Sequence, residues 1–135
     1  MMKKSHVAIG LLSAALINSS FGYPLVFTLG GAVLGSLVPD WDLKFNIPHR
    51  SITHWLIWPI LILYFWPGLW YGLAFGVGLG WLFHILADML TVNGIRLWPT
   101  HILVRGPART GSLSEYALVA PILLLLSYLL FKNIH

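Results

Sequence analysis

His84 and Asp88 stand four residues apart inside the apolar run Leu82-Phe83-His84-Ile85-Leu86-Ala87-Asp88. On a helix that spacing puts both side chains on one face. An Asp at the centre of a membrane helix costs about 2.5–3.5 kcal/mol on insertion scales. Ionisable residues kept in such a run are functional candidates, and they usually face the bundle interior. A divalent cation would compensate the carboxylate and accept a neutral imidazole.

The other polar residues gather in three short stretches. His6 precedes the first apolar segment, and Asp40 and Asp42 lie in Val38-Pro39-Asp40-Trp41-Asp42. His49, Arg50 and His54 lie in His49-Arg50-Ser51-Ile52-Thr53-His54. Imidazole with carboxylate and no thiolate suits Zn²⁺, Mn²⁺ or Fe²⁺ better than Ca²⁺ or Mg²⁺. Three or more His with two or three Asp can hold one ion, or two about 3.5–4 Å apart. The metal would supply hydroxide near neutral pH, and either Asp40 or Asp42 would accept the water's proton. Arg50 suits an anionic group such as phosphate; with Asp40, Asp42 and His49 it completes the expected catalytic set. A lone interfacial His is more often a packing residue than a ligand. Paired polar residues from three separate segments at one depth argue for a site.

These groups must be positioned by an unusually apolar chain. Of 135 residues, 58% are hydrophobic and 9% charged, against about 25% charged in soluble domains. The mean hydropathy is +0.81. Disorder and a water-coated globule are both excluded on that basis, and the length fits one domain, residues 1–135. With no Cys, disulfides, thiolate metal sites and Cys nucleophiles are absent. Five apolar segments are expected: Val7 to Phe21, Leu25 to Val38, Ile52 to Trp66, Leu69 to Val92 and Tyr116 to Phe131. The first two are short enough to form a tight or re-entrant hairpin around Gly22, Tyr23 and Pro24. The fold class is therefore an all-α polytopic membrane helix bundle.

Orientation follows from the basic residues. Lys3, Lys4, Lys44, Arg50, Arg96, Arg105 and Arg109 share one side of this arrangement, with Lys132 opposite. That asymmetry predicts a cytoplasmic amino terminus and site, and it explains the net charge of +4 without nucleic acid. The segment from Lys3 to Ser20 resembles a secretory signal, yet no Ala-x-Ala cleavage site follows, so retention is expected. Gly31 with Gly35, and Gly72 with Gly76 and Gly80, have the spacing that lets helices approach closely. Asn93-Gly94 reads as a helix stop, and Ser112 with Glu115 as a capping box.

Taken together, His6, Pro39-Asp40-Trp41-Asp42, His49-Arg50, Thr53-His54, His84-x-x-x-Asp88, Gly94 and Trp98-Pro99 resemble the YdjM-like family of bacterial inner-membrane metal-dependent hydrolases. That family is distantly similar to zinc-dependent phospholipase C enzymes. The resemblance implies His6, Asp40, His54, His84 and Asp88 as metal ligands, with zinc as the expected ion and one or two ions bound. The leading expectation is a multi-pass inner-membrane hydrolase acting at the cytoplasmic face on an amphipathic phosphoester or lipid, with membrane lipids as partners. A non-catalytic metal-binding scaffold and an ion or proton transporter are the alternatives.

Overall fold

The computed structural model describes residues 1–45, 52–65, 71–97 and 102–134. Helix α1, Lys3–Phe21, stops at Gly22, whose φ of 71° lets its N–H reach back to the Asn18 carbonyl. Asn18 then clasps the turn: its Nδ2 donates to the Tyr23 carbonyl (2.9 Å) and its Oδ1 accepts from Thr28 Oγ1 (3.3 Å). Pro24 precedes α2, Leu25–Leu37. Pro39 then begins the tighter 3-10 helix Val38–Lys44, consistent with its missing N–H. A second 3-10 turn, Ile52–His54, leads to α3, Ile57–Phe65. Helix α4, Tyr71–Met89, is followed by a small hairpin of β1, Ile95–Leu97, and β2, Ile102–Val104. Helix α5 closes the chain over Leu113–Ile134.

The packing centre is the contact between α2 and α4, and small residues cause it. A Cβ on Gly31 or Gly35 would be driven into the α4 backbone at Leu73 or Val77. One on Gly76 or Gly80 would meet the α2 backbone at Thr28 or Ala32. The expected small-residue seam is therefore a parallel, backbone-on-backbone approach. Helix α1 crosses the seam at Gly10, where an added Cβ would strike Ser36 Oγ.

Side-chain contacts fix the direction of the remaining helices. Ser5 bonds to Glu115 near the starts of α1 and α5, and Ser19 to Asn133 near their ends. These two helices run parallel to each other and antiparallel to α2 and α4. The start of α1, the end of α2, the Ile52–His54 turn, the end of α4 and the start of α5 consequently share one end of the molecule.

The largely helical architecture matches the all-α expectation, with three corrections. The third expected segment splits, because Ile52–His54 forms its own turn before α3. Helix α4 ends at Met89, and Gly94, at φ 58°, serves the entry to β1. The hairpin itself was not expected; its pairing runs Ile95 with Val104, Arg96 with Leu103 and Leu97 with Ile102. Among the described residues two stretches, Gly72–Met89 and Leu113–Asn133, are long and apolar enough to cross a membrane. Helix α2, with 13 residues, rises about 20 Å, short of the roughly 30 Å hydrocarbon layer. Val26, Leu113, Leu124 and Tyr64 are all more than 60% exposed, a surface suited to lipid.

Candidate metal centre

Four elements meet at the shared end and each delivers polar side chains into the interior. His6 comes from the second turn of α1, Asp40 and Asp42 from the 3-10 helix after α2, and His54 from the Ile52–His54 turn. His84 and Asp88 come from the last two turns of α4. His6, His54, His84, Asp42 and Asp88 are all at most 1% exposed, and the Asp40 side chain is 13% exposed. Burying so many ionisable groups costs several kcal/mol each unless they are compensated.

Asp88 is the hub. Its Oδ1 accepts from the α-amino group of Met1 at 3.1 Å and stands 3.3 Å from His6 Nε2. Its Oδ2 lies 3.5 Å from His54 Nε2 and 3.9 Å from His84 Nε2. The same His84 Nε2 is 3.6 Å from Asp40 Oδ1. Distances of 3.5–3.9 Å exceed a good N–H···O hydrogen bond. Ligands held 2.0–2.1 Å from a tetrahedral ion stand about 3.3–3.4 Å from one another, so the spacing suits donors around a cation. His6, His84 and Asp88 form one set able to hold an ion, and Asp40, His54 and His84 form another.

The orientation of His84 is set by the glycine seam. Its Nδ1 lies 2.7 Å from the Ser36 carbonyl, which accepts the ring proton and leaves Nε2 with its lone pair toward the cluster. That Nε2 is buried and has no hydrogen-bond partner among the described residues. A backbone carbonyl on the non-ligating nitrogen is the usual way a metal-binding imidazole is fixed. The His6 ring stacks on His84, with centroids 3.8 Å apart and planes 16° from parallel.

Asp42 sits behind the cluster. Its Oδ2 accepts from Thr53 Oγ1 at 3.0 Å and lies 3.7 Å from His54 Nδ1. Thr53 Oγ1 is itself 3.0 Å from His54 Nδ1. Asp42 therefore faces the ring edge turned away from Asp88. His49 and Arg50 lie outside the described residues, as do Trp98 and Pro99. Ser36 and Thr53 were not among the expected site residues. Thr53 had a signal in its adjacency to His54, whereas a backbone carbonyl such as that of Ser36 leaves none.

Glu115 also departs from expectation. Ser112 Oγ donates to the Arg109 carbonyl instead of capping α5. Glu115 is fully buried; its Oε1 accepts from Met2 N (2.8 Å) and Ser5 Oγ (2.7 Å), and its Oε2 from Gly111 N (2.7 Å). A carboxylate at the amino-terminal ends of two helices is favoured by both dipoles. It fastens the start of α1, and with it His6, against α5.

Past α4 the chain is tied back by backbone hydrogen bonds. Ala108 N donates to the Leu90 carbonyl (3.0 Å), and Val92 N to the Ala108 carbonyl (2.9 Å). Both bonds lie just past Asp88 and hold the return of the chain to α5.

No solved structure matches this chain. Over 157 aligned positions it is 29% identical to the uncharacterized protein YvsG of Bacillus subtilis (strain 168), an alignment covering 100% of this chain and 98% of that protein. The family described as YdjM inner membrane protein matches residues 1–134. With the exposed apolar helices and the buried His and Asp cluster, that near-complete match makes the chain a member of the YdjM inner membrane protein family.

Proposed function

We propose that this protein is a metal-dependent hydrolase of the inner membrane that acts on an amphipathic phosphoester or related lipid ester. One observation carries the reading: buried donors from separate elements converge at hydrogen-bond-exceeding distances around His84 Nε2, an atom with no hydrogen-bond partner among the described residues. Both ligand sets among the described residues use His84. Because Ser36 holds Nδ1, a single lone pair serves both of these sets, which favours one ion in them over two.

Either His6, His84 and Asp88 or Asp40, His54 and His84 would hold the ion. When bound, a divalent cation lowers the pKa of a coordinated water to about 7 and polarises an ester or phosphoryl oxygen. With His6, His84 and Asp88 as the ligands, Asp40, the most exposed of these acidic groups, would be left to accept a proton from the water. Asp42 and Thr53 hold the His54 ring. Arg50 pairs with the substrate's anionic group, and His49 lies beside it in sequence. The imidazole and carboxylate donors suit zinc, with manganese or iron as the other candidates.

The chain crosses the membrane repeatedly, α1 to α3 packing against the two longer spans. Lys3, Lys4, Arg96, Arg105 and Arg109 belong to segments at the site end and Lys132 to the other, which supports a cytoplasmic site. A non-catalytic metal staple is the second reading, favoured by the burial of His6, His54, His84 and Asp88, each at most 1% exposed.

Elemental analysis of detergent-purified protein tests the proposal beside the double variant His84→Ala/Asp88→Ala. We expect about one zinc, manganese or iron per wild-type chain and at least a tenfold loss in the variant. A folded wild-type protein that stays metal-free after metal is supplied overturns the reading. Bound metal without turnover of any phosphoester or lipid ester replaces it with the staple.

A further inference from the structure

The buried imidazoles of His6, His54 and His84 differ in what stands opposite each ring nitrogen. A neutral imidazole carries one proton, and only the nitrogen without it can hold a cation. The proton's place follows from the hydrogen-bond partners. For His84 the partner is the Ser36 carbonyl, 2.7 Å from Nδ1. A carbonyl only accepts, so the proton is on Nδ1 and the Nε2 lone pair points into the cluster.

His54 reaches the same state by a longer route. Thr53 Oγ1 lies 3.0 Å from Asp42 Oδ2 and 3.0 Å from His54 Nδ1. An ionised carboxylate only accepts, and a hydroxyl has one proton to give. That proton goes to Asp42, so His54 Nδ1 donates to Oγ1 and the lone pair is left on Nε2. Two imidazole lone pairs thus face carboxylate oxygens with no proton between them. His54 Nε2 is 3.5 Å from Asp88 Oδ2, and His84 Nε2 is 3.6 Å from Asp40 Oδ1. Electron-rich atoms at this spacing repel one another unless a cation stands among them.

His6 is built differently. Its Nδ1 is buried and has no hydrogen-bond partner among the described residues, whereas its Nε2 lies 3.3 Å from Asp88 Oδ1. A proton on Nδ1 would be a buried donor without an acceptor, which folded proteins avoid. On Nε2 the proton meets a carboxylate. His6 therefore donates toward Asp88 and offers no lone pair on that side. It also lacks the partner on the outer nitrogen that fixes a metal-binding imidazole.

We propose that Asp40, His54 and His84 hold the ion, and that His6, with its proton on Nε2, positions Asp88 instead of binding metal. The assignment rests on the metal reading of the cluster and departs from what the family resemblance implies for His6. Three protein donors leave one position of a tetrahedral shell open to water or substrate. Asp42 and Thr53 act through His54, by keeping its lone pair on the ligating nitrogen.

The test uses zinc and the full chain purified in detergent, as wild type, His6→Gln, His54→Gln and Thr53→Val. Zinc affinity is measured by chelator competition, and zinc-bound imidazoles are counted by X-ray absorption. Glutamine at position 6 can still donate to Asp88, and valine keeps the shape of Thr53 without its hydroxyl. His54→Gln should lower affinity at least about tenfold and remove one imidazole from the zinc shell. Thr53→Val should lower affinity about 10–100-fold. His6→Gln should change neither quantity. In zinc-free protein carrying ¹⁵N-histidine, NMR should find the proton on Nδ1 of His54 and His84 and on Nε2 of His6, a readout that stands even where the His6→Gln protein does not fold. Loss of zinc and of one bound imidazole in folded His6→Gln overturns the proposal, as does a His6 proton on Nδ1 or an unchanged affinity in folded Thr53→Val. Folded wild-type protein that takes up no zinc, manganese or iron overturns it together with the metal reading, which those other results leave intact.

Discussion

Helix α4 carries two regions built on opposite principles. In its first half Gly72, Gly76 and Gly80 present almost no side chain to α2, and at Gly76 and Gly80 backbone meets backbone. Its last two turns carry His84 and Asp88, which are held by side chains from α1, the Val38–Lys44 helix and the Ile52–His54 turn. The seam tolerates no added atom, whereas the cluster spaces its donors too widely for good hydrogen bonds. The difference teaches that close packing at one level creates the room at the next. With α2 pressed onto α4, the Ser36 carbonyl reaches His84 Nδ1, and the ring turns its other nitrogen toward Asp88.

Breaking the seam should have the largest effect. Gly76→Leu places a side chain in the Thr28 and Ala32 backbone, and overpacking of this kind costs about 1–3 kcal/mol or more. We expect loss of the monodisperse species in size-exclusion chromatography, with bound metal lost in parallel. A folded Gly76→Leu protein with full metal content would separate the two regions and break the comparison.

The clasp at Glu115 should have an intermediate effect. Glu115→Ala leaves the Met2 and Gly111 N–H groups and the Ser5 hydroxyl without their acceptor, at about 1–3 kcal/mol for each unsatisfied group. Thermal unfolding in detergent should show a lower midpoint, with metal retained at temperatures below it. A midpoint equal to wild type would mean that α1 is held at the cluster by other contacts.

The smallest effect is expected behind the cluster. Thr53→Ala removes the hydroxyl between Asp42 and His54, and loss of such an outer partner costs about 10–100-fold in metal affinity. Competition with a chelator should show that weakening without a change in fold. Acidification should weaken metal binding too, because protons compete for the imidazoles. Unchanged affinity in Thr53→Ala would assign the Asp42–Thr53 contact to loop structure alone.

Much of this was legible in the residues. The spacing of Gly31 and Gly35 against Gly72, Gly76 and Gly80 gave the seam, because small residues at four-residue intervals have one obvious use in apolar helices. The i, i+4 placement of His84 and Asp88 gave the shared face. Gly22 and Pro24 marked the turn between α1 and α2. Three things were hidden. The β1–β2 hairpin is only three residues per strand, and its pairing depends on Ala108 returning to Leu90 and Thr91. Glu115 has the right spacing from Ser112 for a local cap, but Met2 and Ser5, more than a hundred residues away, compete for its oxygens and win. Asp40 and Asp42 look equivalent in sequence, and only the 3-10 path after Pro39 sends one toward His84 and the other behind His54.

By itself, then, the sequence determined the apolar helical class, the small-residue stripe, and the gathering of His and Asp at one level. Those properties follow from composition and from periodicity along a single helix, which are local. The tertiary structure decided which Asp faces which His, that a carbonyl from α2 orients His84, and that Glu115 fastens the start of α1 to α5. Each of these depends on how two helices approach in space. That approach is governed by contacts between residues distant in sequence, and no local pattern records it.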